Sequence, residues 1–236
     1  MFLSFLLLST ILDQASQNAE AFWRQVSAIE CTEQIAQTRL SADRKIAAYR
    51  ASTFDYVVTL KTNGPTLVVD ESRIPQKSTK SPESLLLTSG FPMLMLIFHP
   101  DFRDRFEFDV NEAEGKIAFR AKAGSRSFSA IRIDGRLYPI HWKGTAWINL
   151  ANGAVRRIEA SPAPMSDIEI DEMNVVVQYG SVPLNGQPIP YWLPLRATIS
   201  LRSPQQQWKN IHEFRSYKLF SVTTTTIPAA ANEPFE

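Results

Sequence analysis

Residues 105–123 read RFEFDVNEAEGKIAFRAKA. Phe106, Phe108 and Val110 alternate with charged neighbours, which is the two-residue period of a half-buried strand. NEAEG supplies turn residues, and Ile117 and Phe119 share one face of the returning strand. Similar units recur along the chain. Residues 45–61 are rich in aromatic and β-branched types, and TLVVDESRI (66–74) returns from Asn63-Gly64. LYPIHWKGTAWINL (137–150) and AVRRIEA (154–160) flank Ala151-Asn152-Gly153. MNVVVQYGSV (173–182), YWLPLRATISL (191–201) and NIHEFRSYKLFSV (210–222) complete the set. Roughly ten strands joined by short turns favour antiparallel neighbours over βαβ crossovers.

Helices are fewer. Within 18–28, NAEAFWRQVSA, helical spacing links Phe22 and Val26 to Ile29. From Ile29 the period shifts to two through Cys31, Glu33, Ile35 and Gln37, as a strand or a continuing helix. Residues 93–98 are uncharged and apolar on every side, and Pro92 suits the first position of a short helix there. Residues 75–84 read as a surface loop. A sheet of this width curls or closes, and its concave face is the apolar surface able to cover 93–98. The expected fold is α+β, mainly antiparallel β. It is a curled sheet or half-barrel of about ten strands wrapped around one to three short helices.

Composition narrows the function classes. The 236 residues carry 25 Lys+Arg and 24 Asp+Glu, a net charge of +1, so no basic face for nucleic acid is expected. Apolar residues are 44% and charged residues 21%, a globular mix. One Cys and 3 His leave little for disulfides or metal chemistry. Residues 2–12, FLSFLLLSTIL, are too short for a bilayer span and match the core of a secretory signal. Small residues follow at Ala15, Ser16, Ala19 and Ala21. The expectation is a signal peptide over 1–17, one curled-sheet domain over 18–222, a mobile tail over 223–236, and a periplasmic or secreted location. A buried first helix is the alternative. The mature protein is expected to have no transmembrane span.

The segment GTAWINLANGAVRRIEA, 144–160, resembles a hairpin of the bacterial lipoprotein-carrier superfamily, with Asn149 where that hairpin often has Asp. The ECTEQ and FDY segments, LLLTSGFPMLMLIFHP and YWLP resemble an uncharacterised family of exported bacterial proteins. The resemblance implies a periplasmic half-barrel able to hold an acyl chain or a lipophilic segment.

Candidate chemistry is sparse. Glu30, Glu33, Asp55, Asp70 and Glu71 form the densest carboxylate set. Alternation sends Asp70 and Glu71 to opposite faces, and solvated strand faces are the expected setting. His99, after the apolar run, reads as a helix C-cap beside the negative end of the dipole. His141 and His212 read as edge or core positions, and Cys31 as a buried structural thiol. There is no GxSxG elbow and no glycine-rich phosphate loop. No catalytic residue, metal or cofactor is expected. Met93, Leu94, Ile97, Phe98, Trp142 and Trp147 are the expected ligand-contacting set, with Trp192 and Trp208 on the same concave face. The function expected is an exported binding protein of the cell envelope, holding a lipid, an acyl chain or an apolar partner segment, without enzymatic activity. Two alternatives stand beside it: an interaction module of an envelope complex whose cavity is plugged by residues 85–98, and a hydrolase.

Overall fold

The computed structural model describes residues 10–220, apart from 27, 42, 64–65, 77–86, 91, 134–135, 165–169, 185 and 205. The Asn63-Gly64 turn, most of the expected loop 75–84 and the expected tail lie wholly or partly outside the described residues.

Helix α1 spans Ile11–Gln25 and so begins ahead of the expected 18–28. Ile11, Ala15, Ala19 and Phe22 recur at helical spacing and are all buried. Ile11 and Ala15, which fall inside the expected leader, thus belong to the described core. The Thr10 hydroxyl accepts from the Asp13 N–H at 3.2 Å, and the Glu112 carboxylate accepts from the Ile11 N–H at 3.1 Å.

The strands are β1 (Ala28–Ser41), β2 (Ile46–Asn63), β3 (Thr66–Pro75), β4 (Leu87–Ser89), β5 (Phe106–Asn111), β6 (Lys116–Ala121) and β7 (Ser129–Ile133). They continue with β8 (Arg136–Ile140), β9 (Trp142–Ile148), β10 (Val155–Pro162), β11 (Glu172–Val182), β12 (Tyr191–Arg202) and β13 (Gln206–Phe220). Ten of them form one curled, unclosed antiparallel sheet in the order β3-β2-β1-β13-β12-β11-β10-β9-β6-β5. A smaller sheet, β4-β7-β8, stands apart. The segment 137–150, which reads as a single strand, breaks at His141, so β8 and β9 belong to different sheets.

Residues Leu94–Phe98 form a 3-10 helix, and Pro100–Arg103 form a short helix, α2. Both pack with α1 on the inner face of the large sheet. Leu94, Leu96, Ile97 and Phe98 are wholly buried there. His99 ends the 3-10 helix, but its ring does not act as a charged C-cap. Its Nδ1 accepts from the Asp101 N–H at 3.2 Å, which caps α2, and burial pushes the imidazole below its ordinary value.

The Asn152-Gly153 turn ties the sheet to α1. Asn18 donates through Nδ2 to the Asn152 carbonyl at 2.7 Å. Gly153 has φ +68°, and a Cβ there would sit 2.5 Å from the Gln14 Cβ. Substitution Gly153→Val therefore combines a left-handed backbone with a clash against α1. A destabilisation on the order of 1–3 kcal/mol is expected in a chemical denaturation series; an unchanged midpoint would show that α1 does not rest on this turn.

Candidate functional site

Alternation in β1 points Ile29, Cys31, Glu33, Ile35 and Gln37 to the inner face. A carboxylate among such neighbours must find a buried partner. The partner is Arg73 on β3. Its Nε donates to Glu33 Oε2 at 2.5 Å and its Nη2 to Glu33 Oε1 at 3.1 Å, a two-pronged contact. The Glu33 side chain is 0% exposed and that of Arg73 15%. His212 of β13 completes the group, its Nδ1–H donating to Glu33 Oε1 at 2.8 Å.

Strand register extends this group across the sheet. Cys31 lies opposite Tyr56, and Tyr56 lies opposite Arg73. The Arg73 guanidinium sits 4.7 Å over the Tyr56 ring. Both Glu71 oxygens accept from the Gly90 N–H at 3.0 Å, with Arg73 Nη1 4.0 Å away. On the other side Tyr217 donates to the Pro194 carbonyl at 2.5 Å. The Tyr179 hydroxyl accepts from the Met95 N–H and donates to the Pro92 carbonyl, both at 3.1 Å. A polar belt therefore crosses the inner face from β11 to β3. At each end it grips the backbone of the segment from Gly90 to Met95.

The electrostatics of the belt split its two carboxylates. Burial alone would raise Glu33, but the His212 hydrogen bond and the Arg73 charge outweigh it and hold the carboxyl below its ordinary value. Burial dominates at Glu71, and Arg73 and the Gly90 N–H offset it only in part, so that carboxyl is raised. Burial, then the Glu71 and Glu33 carboxylates, keep the Tyr56 phenol well above its usual value. Burial and the neighbouring Glu33 charge push the Cys31 thiol up to about 12, which leaves it without thiolate character.

Solvated strand faces describe Glu30, Asp55 and Asp70, but not Glu33 and Glu71, which Arg73 brings together in the interior. Asp70 and Glu71 do diverge. Of the expected ligand-contacting set, Met93, Leu94, Ile97, Phe98 and Trp142 meet in one buried core. Trp147 does not join them. Alternation along β9 turns Trp142, Ala146 and Ile148 inward, so Trp147 faces outward, with Arg157 5.6 Å from its ring. Trp192 and Trp208 are half-buried beside the core, and Trp208 carries Arg39 5.6 Å from its ring. His141 is half-buried between β8 and β9, outside both strands.

A carboxylate-oriented imidazole is the arrangement of a general base, and His212 Nε2 has no hydrogen-bond partner among the described residues. The ring is only 5% exposed, however, and stacks on Phe214 at 6.4 Å. What the belt does in this structure is fix six neighbouring strands, from β3 across to β11, and the segment from Gly90 to Met95 to one another.

Opposite pH slopes follow for the two carboxylates. Glu33, with a lowered value, contributes stability that is present above 4.5 and lost as pH falls through its folded value. Glu71, raised above 4.5, contributes stability that is complete in acid and lost as pH rises through its folded value. Glu71→Gln keeps a carbonyl acceptor for Gly90 and removes that charge. The variant should gain on the wild type as pH climbs above 4.5. Urea midpoints of both proteins across pH check this, and a constant difference would place Glu71 in solvent.

No family model matches the chain, and no curated protein matches it. Among solved structures it is similar to that of a DUF1329 family protein from Desulfovibrio piger ATCC 29098, at 10% identity and a TM-score of 0.44, covering 91% of this chain and 93% of that one.

Proposed function

We propose that the protein is a non-catalytic interaction module of the cell envelope whose concavity is filled by its own residues 93–98. One observation carries this reading. Leu94, Leu96, Ile97 and Phe98 are 0% exposed, packed between the sheet and the two helices where a lipophilic guest would otherwise lie. Partners then engage the outer face and the strand edges. The outer face offers a groove of about 470 Å3 bordered by Trp147, Arg157, Gln178 and Leu195. Among the described residues no helix is long and apolar enough to cross a membrane.

A second reading keeps the concavity as a binding site for a lipid, an acyl chain or an apolar partner segment, with 93–98 as a displaceable lid. The feature favouring it is the way the segment is held. It is a short 3-10 helix between Gly90, at φ +76°, and Pro100, gripped by Tyr179 rather than built into the sheet.

Leu96→Asp separates the readings. A permanent plug cannot accommodate an unpaired buried charge, and the domain should unfold or lose several kcal/mol, on the order of 3–5. A lid should leave the fold intact while uptake of a fluorescent fatty-acid probe changes. A mutant unaltered in both respects overturns both readings.

Export is the compartment proposed, on the FLSFLLLSTIL run. N-terminal sequencing of protein from the host envelope should give a start between residues 16 and 22, which would remove the first turns of α1. Folded cytoplasmic protein with an intact Met1 overturns export.

A further inference from the structure

Two β-bulges on the large sheet lie level with each other. On β10 the register passes from Val155 opposite Ile148 to Arg157 opposite Trp147, so Arg156 is the extra residue. On β12 it passes from Pro194 opposite Tyr179 to Arg196 opposite Gln178, so Leu195 is the extra residue. Strand β11 runs between them, and its Gln178 lies opposite both Arg157 and Arg196. An extra residue breaks the alternation of a strand. Arg156 and Arg157 therefore both turn outward between buried Val155 and Ile158, as Leu195 and Arg196 do between buried Pro194 and Ala197.

The bulges shape the outer-face groove, which Arg156 also lines. Its two ends are apolar: Trp147 on β9 and Leu195 on β12. Leu195 lies across Gly180, where a Cβ would come within 2.4 Å of its Cδ1. Between the ends the groove is cationic. Arg157 donates through Nη2 to Glu159, and its Nε has no hydrogen-bond partner among the described residues. Glu213 serves both Arg196, at 3.7 Å, and Arg215, at 2.6 Å. Arg156 is exposed and has no ion-pair partner among the described residues. Cations thus outnumber carboxylates here by two.

We propose that this groove binds an extended segment of a partner protein in which an acidic residue has an apolar residue two positions to either side. The inference rests on the interaction-module reading and names the partner's chemistry. Spacing supports it. From β9 to β12 is three strand separations, about 14 Å, and alternate side chains of an extended chain are about 7 Å apart. A five-residue segment therefore sets its outer side chains on Trp147 and Leu195 and its central carboxylate among the arginines, whose forked guanidinium groups suit it. A nucleic acid would need a longer basic track, and a bilayer a broader apolar surface.

An NMR titration of the full chain with the peptide acetyl-Phe-Ser-Glu-Ser-Leu-amide tests this. The peptide should shift the Trp147 indole N–H saturably. Gln in place of Glu in the peptide, or Arg156→Gln in the protein, should each weaken binding about ten-fold or more. The unfolding midpoint of Arg156→Gln should not change, because the side chain is exposed. The reordered peptide acetyl-Phe-Leu-Ser-Ser-Glu-amide should bind more weakly than the first. No saturable shift, equal binding of the Glu and Gln peptides, or indifference to Arg156→Gln overturns the proposal. So do phosphatidylglycerol vesicles that shift Trp147 where the peptide does not. The plug is read separately. Absent peptide binding beside an unfolding Leu96→Asp overturns the groove alone, and peptide binding beside a folded Leu96→Asp upholds the groove and overturns the plug.

Discussion

Arg73 is the side chain on which most of the inner face depends. Its guanidinium is the cation against which Glu33 is buried, it lies over Tyr56, and it stands within 4.0 Å of Glu71. Removing it would strand one fully buried carboxylate and unbalance a second, the costly way to break a buried pair. Such pairs add little net stability compared with an apolar replacement, but they admit few alternatives. Here the geometry specifies register. Sliding β3 by one residue would turn Arg73 and Glu71 to solvent and bring Asp70 and Ser72 inward.

The apolar plug depends on that register in turn. Glu71 receives the Gly90 N–H at one end of the segment, and Tyr179 holds Pro92 and Met95 at the other. Those contacts give a short 3-10 helix the satisfied backbone that its own hydrogen bonds do not fully supply. The hydrophobic contacts of Leu94, Leu96, Ile97 and Phe98 supply most of the adhesion, while the polar belt supplies the position.

Much of this is legible in the chain before any coordinates. The two-residue period gives the antiparallel sheet, and the absence of any charge in 93–98 requires that segment to be covered. The two halves of the belt leave signals in the sequence, but their pairing does not. Glu33 has the same parity as Ile29, Cys31 and Ile35, and Glu71 the same parity as Arg73. A carboxylate on an apolar face and an acid–base pair two residues apart on another strand are complementary signals. Nothing local in the sequence says that the two strands flank β2, so the pairing becomes visible only with the sheet order. The inward placement of Trp147 fails for the opposite reason. It lies five residues beyond Trp142 on β9, and an odd spacing on a regular strand reverses the face. The early start of α1 is masked because its first residues fall in FLSFLLLSTIL, whose apolar run reads as a leader before it reads as a buried helix.

The seam of the sheet lies where β1 pairs with β13, Ala28 opposite Phe220. Every other neighbouring pair in the large sheet is closer in sequence. This pairing therefore joins the first and last described strands of the chain and carries the largest loop-closure cost. On a ribosome, the hairpins on either side can form as they appear, but β1 has an open flank until β13 has been made. His212 and Asn210, which complete the inner face, arrive with that last strand. Folding with this connectivity is slow and late in closing, and the unfinished half-sheet is the species that a chaperone would have to shield.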